Sequence, residues 1–314
     1  MNIQAVQEAT REAVKKKFHG KKYLVSCSPL KYPQHLERDY TRITNAYMRL
    51  LNSTIAEYTP EIKALLAEYQ RDAPDGNART DANDKGDWQE FSRMLRRVLE
   101  RAEADLEKKT ANFDLIRKLN DLENRAHKYS IREWKRVVRQ TLGINIFDDY
   151  YDGKFFRENT RQWVLQNVDL ITTIPKETLK RMYNVISGGQ YAGKTAAEIG
   201  RQIQASYNVS KSHARFIARD QMAKLNARIT QQQQTDAGIT EYVWRTVGDG
   251  RVRESHRHLN GKRFKYSDPP VVDPKTGRRA NPGEDYQCRC VALPVFDIDG
   301  LTLPWEAEAK QQTK

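Results

Sequence analysis

Apolar residues recur every three or four positions through much of the first 235 residues, and this spacing predicts a mostly helical region. One long amphipathic helix is predicted over residues 36–68, and Pro60 is the position at which it would break. A second helical block is predicted over 88–142, ended by Gly143, after an exposed polar loop over 71–87. The apolar stripes of both blocks are typical of packing between helices, because charged residues cover the opposite face.

Three shorter helices are predicted after an aromatic and acidic segment at 144–156. The first begins at Pro175, which suits a first helical position, and ends before a pair of glycines. The second begins at Thr195, where Glu198 three residues later completes a capping box. The third is predicted over 210–233.

The pattern changes after Gly238, where apolar and polar residues begin to alternate. This alternation predicts a strand over 241–249, and shorter strands are predicted over 262–266 and 288–296. A segment rich in proline and glycine, 267–285, is predicted to be a long loop. The sequence therefore predicts an α+β protein, with a mostly helical N-terminal part and a small β-rich C-terminal module.

Four segments follow from these patterns. They are a basic N-terminal arm over 1–36, extended apart from one short helix; a helical domain over 37–170; a C-terminal domain over 171–298, made of three helices and the β module; and a polar tail over 299–314.

The stretch GGQYAGKT, 188–195, fits the phosphate-loop pattern of an ATPase. A working phosphate loop lies between a buried strand and a helix, but the residues before these glycines have helical spacing. No apolar run ending in aspartate follows to hold magnesium. We therefore expect the glycines to end one helix, Gly193 to turn the chain and Thr195 to cap the next helix, with no ATPase activity.

Net charge and composition narrow the classes of partner. The formal net charge is +13, which favours phosphate-rich partners or an acidic protein surface without choosing between them. No run of about 18 apolar residues predicts a membrane span, and the N-terminus lacks the apolar core of a secretory signal. Three cysteines are too few for a disulfide framework. Because neither a membrane span nor a signal is predicted, we expect a protein that stays in the cytoplasm where it is made, with no membrane partner.

Most candidate chemistry lies between Gly248 and Cys290. Cys288 and Cys290 form a C-x-C pair, which on a strand would face one side, and such close cysteines rarely form a disulfide with each other. Two thiolates with imidazole nitrogens are good tetrahedral zinc ligands, so a zinc ion could cross-link this loop-rich module. The alternative is a packed Cys288, an incidental Cys290 and solvated histidines. A third interpretation is a metal-dependent nuclease that uses His256, His258 and Asn260.

Four pieces of the C-terminal half occur in an order that resembles the phage Mu F-like family of head morphogenesis proteins. They are Ile217-Ala218-Arg219-Asp220, the stretch from Asp249 to His256, Leu259-Asn260-Gly261-Lys262, and Cys288-Arg289-Cys290. The resemblance covers about 175–296. It implies a minor capsid protein of a tailed phage, located inside the head at the portal vertex and in the host cytoplasm before assembly.

The resemblance also implies partners and a ligand set. The implied partners are the portal protein, the major capsid or scaffold protein, and packaged double-stranded DNA, with a role in head assembly and in DNA packaging or ejection rather than catalysis. Some relatives look as if they carry cysteine at the positions of Arg253 and His256, which would complete a zinc site. Here Arg253 cannot ligate, so the expected ligands are His256, Cys288 and Cys290, with Asp249, Asp285 or His258 as the fourth, unless the site has become a hydrogen-bonded cluster.

The positive charge is concentrated near these motifs. Residues 201–280 contain 16 Lys or Arg and 7 Asp or Glu, a local net charge of +9. We expect any DNA contact there to be independent of sequence and weakened by salt. A sequence-independent DNA-binding protein without a capsid partner is therefore an alternative function, beside the metal-dependent nuclease or effector. The candidate DNA-binding residues are Arg251, Arg253, Arg257, Lys262 and Arg263.

Overall fold

The computed structural model describes residues 3–71, 82–143, 156–192 and 194–299. The helices in this part of the chain are α1 Ile3–Lys17, α2 Gln34–Arg71, α3 Ala82–Ala111, α4 Leu115–Leu142, α5 Phe156–Tyr191, α6 Ala196–Asp236 and the single turn α7 Glu254–Arg257. The strands are β1 Tyr23–Val25, β2 Glu241–Arg245, β3 Arg263–Lys265, β4 Val271–Asp273, β5 Arg278–Arg279 and β6 Val291–Asp297. The predicted α+β class, helical first and β-rich at the C-terminal end, is confirmed.

The long helices are more continuous than the sequence suggested. Helix α2 runs through Pro60 without a break. A proline inside a helix costs roughly 3 kcal/mol, but the turns on both sides of it contribute to one apolar core, through Leu51 before it and Ile62 and Leu66 after it. Burial of several such side chains at about 1.5–3 kcal/mol each offsets the cost of the proline.

The prediction of three short helices over 175–233 was wrong, because α5 and α6 replace them. Pro175 lies inside α5 between the buried residues Ile174 and Leu179. Ser210 starts no helix, since it is buried within α6 and its Oγ lies 3.1 Å from the Ser206 carbonyl oxygen and 2.7 Å from Thr178 Oγ1. A buried serine that bonds its own helix backbone is compatible with a continuous helix.

The capping box at the start of α6 is confirmed. The Thr195 backbone N–H donates to Glu198 Oε2 at 2.9 Å, and the Glu198 N–H donates to Thr195 Oγ1 at 3.3 Å. Helix α5, not a strand, precedes this segment and contains Gly188 and Gly189. The prediction that these glycines end the helix was wrong, because α5 continues through them to Tyr191. A helix therefore stands where a phosphate loop would have a strand.

The N-terminal arm is structured, which corrects its prediction as an extended segment. It forms α1 and then β1, an edge strand that pairs antiparallel with β6 through Leu24 opposite Phe296. The predicted loop over 71–87 was wrong from Ala82 onwards, where α3 begins. The second helical block is two helices, α3 and α4, separated at Asp114, which has a φ of 52°. Gly143 ends α4 as predicted, with a φ of 72°.

Some predicted features lie outside the described residues: part of the polar loop (72–81), most of the aromatic and acidic segment (144–155), the turn at Gly193 and the tail from residue 300.

The described chain divides into two compact units whose segments alternate along the sequence. The sheet unit contains Met1–Glu37, Asn120–Trp163 and Arg219–Lys314, and the helical unit contains Arg38–Leu119 and Val164–Ala218. The sequential boundaries at 36, 170 and 298 stay a prediction. The helical unit has one apolar core, in which Phe91, Leu95 and Ile186 are fully buried.

The sheet unit is built on a four-stranded antiparallel sheet in the order β1-β6-β2-β3. The alternation predicted in β2 is confirmed, because Tyr242 and Trp244 are fully buried. On β6, the Phe296 ring stacks on Trp134 of α4 with ring centroids 6.0 Å apart. The loop prediction over 267–285 missed a small hairpin, in which β4 pairs with β5.

Candidate metal centre

His256 lies on the helical turn α7, which is held in place by a contact before it and a contact within it. Before it, Asp249 Oδ1 accepts from the Arg251 backbone N–H at 3.1 Å, and within it the Ser255 hydroxyl donates to the Val272 carbonyl of β4 at 2.8 Å. The His256 side chain is buried, with its ring edge-on to Trp244 at a centroid distance of 5.5 Å. The imidazole is therefore directed into the sheet unit and not to solvent.

The turn after His256 explains the L-N-G-K motif in physical terms. Asn260 Oδ1 accepts from the Thr246 backbone N–H at 2.9 Å, and Gly261 adopts a φ of 79° while its N–H donates to the Trp244 carbonyl. A left-handed position favours glycine because a Cβ would be strained there. Asn260 and Gly261 thus close the connection from β2 through α7 to β3, and Asn260 has a structural role.

The predicted strand over 288–296 included both cysteines. Strand β6 starts only at Val291, so Cys288 and Cys290 lie in the segment before it. Both thiols nevertheless face one imidazole. Cys288 Sγ and Cys290 Sγ each lie 3.5 Å from His256 Nδ1, and both side chains are buried and free of disulfides. The Cys290 backbone N–H points at Cys288 Sγ at 3.4 Å.

These separations suit a tetrahedral zinc ion. Zn–S bonds of about 2.3 Å and Zn–N bonds of about 2.05 Å, at a tetrahedral angle, place nitrogen and sulfur about 3.6 Å apart. Both measured N–S distances are 3.5 Å. All three ligand atoms lie within 4.8 Å of one another, and within the described ranges no fourth His, Cys, Asp or Glu joins them. The residues present fit a zinc ion as three of its ligands.

Asp285 supports the imidazole from the opposite side. Its Oδ2 lies 3.1 Å from His256 Nε2 and 3.0 Å from Arg253 Nη1, while its Oδ1 accepts from Arg278 Nη2 at 2.6 Å. A carboxylate can only accept, so Nε2 carries the proton and Nδ1 faces the two sulfurs. A carboxylate behind a histidine in this way orients metal-binding imidazoles in many proteins. Asp285 is therefore placed behind the cluster and not within it.

The cluster also shifts the pKa values of its members. Burial lowers the pKa of His256, but the hydrogen bond and charge of Cys288 and the charge of Asp285 outweigh it, so the pKa is raised. The pKa of Cys288 is held well below its usual value by the Cys290 thiol, against burial and with help from His256. The pKa of Cys290 is raised by its bond to Cys288 and by burial.

The remaining candidate ligands lie elsewhere. Asp249 forms a two-point ion pair with Arg289, at 2.7 and 2.6 Å, and this hydrogen bonding lowers the pKa of Asp249. His258 is exposed and its Nε2 lies 3.2 Å from Glu254 Oε1. His258 is on the surface, and the side chain of Asn260 is hydrogen-bonded within its own turn. The structure therefore does not bring His256, His258 and Asn260 together as a nuclease site would require.

The candidate DNA-binding residues are all exposed, but their partners differ. Arg253 is paired with Asp285, and Arg257 lies 3.7 Å from Glu254. Arg263 forms an ion pair with Glu241. Among the described residues, the side chains of Arg251 and Lys262 form no ion pair with a carboxylate, which leaves both side chains available to a ligand.

Sequence reasoning assigned no role to Asp220, the last residue of the I-A-R-D piece. It is buried, its Oδ1 accepts from the Gln287 backbone N–H at 2.7 Å, and its Oδ2 pairs with Lys224 at 2.6 Å. This contact anchors the backbone directly before Cys288 to helix α6. Membership of the I-A-R-D piece was the signal for Asp220, because its partner Gln287 lies 67 residues later and no local pattern connects the two.

The four motif pieces therefore meet in one place: the α6 anchor, the α7 turn, the closing turn of β3 and the C-x-C pair. Residues 180–293 match the family of Phage Mu protein F like proteins. The resemblance predicted over about 175–296 is confirmed by this match. It covers the last third of α5, all of α6, strands β2 to β5 and the first three residues of β6, but not β1.

Two curated proteins are similar to longer parts of the chain. An uncharacterized protein of Haemophilus influenzae is 29% identical over 223 residues, which are 71% of this chain and 48% of that protein. The NAD(+)–arginine ADP-ribosyltransferase EFV of Enterococcus faecalis is 26% identical over 146 residues, which are 44% of this chain and 30% of that protein. The chain thus spans less than half the length of either relative. No solved structure matches it.

In the described part of the chain, no helix is both long and apolar enough to cross a bilayer.

Proposed function

We propose that this protein is a minor head protein of a tailed phage, which acts in head assembly from inside the head at the portal vertex. The observation that carries the proposal is the match of residues 180–293 to the Phage Mu F like family, over the segment that builds the His256–Cys288–Cys290 cluster. The net charge of +13 supports a location beside packaged DNA, since a basic surface favours a phosphate-rich partner.

The proposal extends to the partners. The portal protein is the main one, with contacts to the major capsid or scaffold protein during assembly and sequence-independent contacts to double-stranded DNA during packaging or ejection. In the described helices, the exposed apolar side chains Leu165, Val209 and Phe216 add surface for a protein partner. The ADP-ribosyltransferase activity in one relative's name belongs to that protein, which shares 30% of its length with this chain.

The test is to separate particles from a lysate of the phage or lysogen that encodes the chain. Density-gradient fractions would be probed for the chain in DNA-filled heads, empty heads and soluble protein. We expect it in the heads, in few copies and chemically cross-linkable to the portal protein. Recovery in the soluble fraction alone would contradict the proposal.

We further propose that the cluster of His256, Cys288 and Cys290 holds one zinc ion. Bound there, zinc would supply a cross-link between α7 and the segment before β6. The sheet unit is rich in loops at this point, and Asp285 already orients the imidazole as a zinc ligand requires. The role of the ion in this proposal is structural.

A second candidate function is favoured by one observation. Three protein ligands leave one position of a tetrahedral zinc open, as in catalytic sites, and a pocket lined by His256 and Cys288 leads to the cluster. A metal-dependent nuclease therefore stays the alternative, without His258 and Asn260 in its site. Zinc-dependent cleavage of DNA that is abolished by His256→Ala would support it, and no cleavage by the zinc-loaded chain would exclude it.

A further inference from the structure

A small pocket with a strongly basic lining opens beside the candidate metal centre. Its volume is about 190 Å³, and its lining residues are Arg219, Arg251, Arg253, His256, Gln287, Cys288 and Arg289. Four of the seven are arginines, and none is a carboxylate. All of them belong to the sheet unit.

Two of the four arginines are fixed in place by neighbouring groups. Arg253 donates to Asp285 Oδ2 at 3.0 Å and to the Tyr286 carbonyl at 2.5 Å. Arg289 forms its two-point pair with Asp249. These contacts order the guanidinium groups. Asp285 is shared with Arg278, and the two carboxylates together do not cancel the charge of the four arginines.

The other two arginines, Arg219 and Arg251, are not held by a carboxylate within the ranges that the structure describes. Arg219 is half-buried on α6, and Arg251 is exposed in the turn before α7. The planar guanidinium group presents a fork of donors that matches the oxygens of phosphate, and it keeps its charge at every physiological pH. Two such groups facing one pocket favour a doubly charged or bridging oxyanion.

The size of the pocket limits what it can take. A volume of 190 Å³ is below the roughly 300–1,000 Å³ typical of sites for whole organic ligands. The pocket is therefore suited to a single tetrahedral oxyanion and not to a complete nucleotide.

The backbone at the edge of the pocket is also unusual. Gln287 has a φ of 51°, uncommon for a residue with a side chain. The hydrogen bond from its N–H to Asp220 maintains this conformation. Because Asp220 follows Arg219 on α6, the same contact fixes the Gln287 side of the pocket relative to an unpaired arginine.

We propose that this pocket binds a phosphate group, with Arg219 and Arg251 as its binding arginines and Arg253 and Arg289 as ordered supports. The phosphate could be free inorganic phosphate or a phosphate of a DNA backbone, since both present the same oxygens. This proposal goes beyond the role in the phage head. Its test measures phosphate binding by the purified chain and does not depend on where the protein is located.

The test compares the full-length wild-type chain with the double variant Arg219→Gln/Arg251→Gln and with the control Arg245→Gln/Lys265→Gln. Arg245 on β2 and Lys265 on β3 are exposed and do not line the pocket, so the control removes the same two positive charges elsewhere on the sheet unit. Inorganic phosphate would be titrated by calorimetry, and labelled double-stranded DNA by fluorescence anisotropy at several salt concentrations. Melting curves would verify that all three proteins are folded.

We expect the double variant to bind phosphate at least about tenfold more weakly than wild type, because each removed charged hydrogen bond contributes about 1.5–3 kcal/mol. The control Arg245→Gln/Lys265→Gln should bind phosphate as wild type does. If the source is DNA, the double variant also loses DNA affinity beyond the control, its salt slope becomes shallower by about one or two, and inorganic phosphate competes with DNA. If the source is free phosphate, DNA binding of the double variant equals that of the control. Equal phosphate binding by a folded double variant and wild type, or no binding by wild type, would overturn the proposal.

Discussion

Removal of one cysteine from the candidate metal centre should remove most of the stabilisation that zinc provides. The chosen change is Cys290→Ser, which deletes a ligand with little change of volume. Cys27→Ser is the matched control, because Cys27 is exposed and lies outside the cluster. Each protein would be measured as purified and after treatment with a zinc chelator.

The magnitude follows from the loop that zinc closes. His256 and Cys288 are 32 positions apart in the sequence, and a cross-link closing a loop of about that length contributes about 4 kcal/mol by the chain-entropy estimate. For a compact unit of 150–250 residues, each kcal/mol moves the melting temperature by about 2–4 °C. We therefore expect the chelator to lower the wild-type melting temperature by about 8–16 °C.

The assay is differential scanning calorimetry together with elemental analysis for zinc. Wild type and Cys27→Ser should contain one zinc per chain and respond equally to the chelator. Cys290→Ser should contain none and show no response. Because the comparison is between responses to chelator, any packing cost of the substitution cancels. A wild-type chain supplied with zinc that contains no metal, or a Cys290→Ser protein that responds as wild type does, would refute the reasoning.

Three further predictions concern other parts of the chain. Asp285→Asn should weaken zinc binding about 10–100-fold, since the orienting carboxylate is lost; competition with a chromophoric chelator measures this, and unchanged affinity would remove Asp285 from its positioning role. The pKa of Glu133 is raised by burial but lowered more by its bonds to Arg136 and to the Lys31 N–H, so its net shift is downward. Its stabilisation is therefore present above the unfolded pKa of about 4.3 and is lost as pH falls through the folded value. Glu133→Gln should cost about 1–2 kcal/mol at pH 7 and progressively less below pH 4 in urea unfolding, and a difference independent of pH would contradict this. Thr195→Ala should lower the free energy of unfolding by about 1 kcal/mol through loss of the helix cap, and no change in the urea midpoint would show that the box contributes nothing.

The periodicity of apolar residues predicted the elements that local signals determine. It failed for elements whose extent depends on packing against distant parts of the chain. The alternation in β2 and the cap at Thr195 are local signals, and both were confirmed. Pro175 was predicted to start a helix because a proline inside a helix is unfavourable locally. The core that Ile174 and Leu179 join on both sides of it is formed with segments distant in the sequence, so it is not visible from the local pattern. Strand β1 was missed because three residues paired with β6 have no local pattern.

The run of glutamines at 231–234 shows the same limit. Its composition resembles a solvated segment, yet Gln233 and Gln234 are fully buried at the end of α6. Gln233 Oε1 accepts from the Ser130 hydroxyl at 2.9 Å, and Gln234 Oε1 accepts from the Tyr266 hydroxyl at 2.7 Å. Buried amides require partners, but those partners lie more than 30 residues away and cannot be found by inspection of the run itself.

The candidate site was predicted in part. The C-x-C spacing and a nearby histidine were enough to nominate His256, Cys288 and Cys290, which the fold does bring together. The position of Asp285 behind the imidazole could not be predicted, because it depends on how the loop before the cysteines folds. The same holds for the arginine pocket, whose members come from α6, the turn before α7 and the C-x-C segment.

The pairing of β1 with β6 has a consequence for how the protein is made. Leu24 and Phe296 face each other across the sheet although about 270 residues separate them in the chain. At about 5–20 residues per second, the ribosome needs roughly 14–54 s to synthesise that interval. During this time β1 has no partner strand, and contacts this distant in sequence slow folding. A nascent chain arrested before residue 291 would therefore be left with an unpaired N-terminal strand.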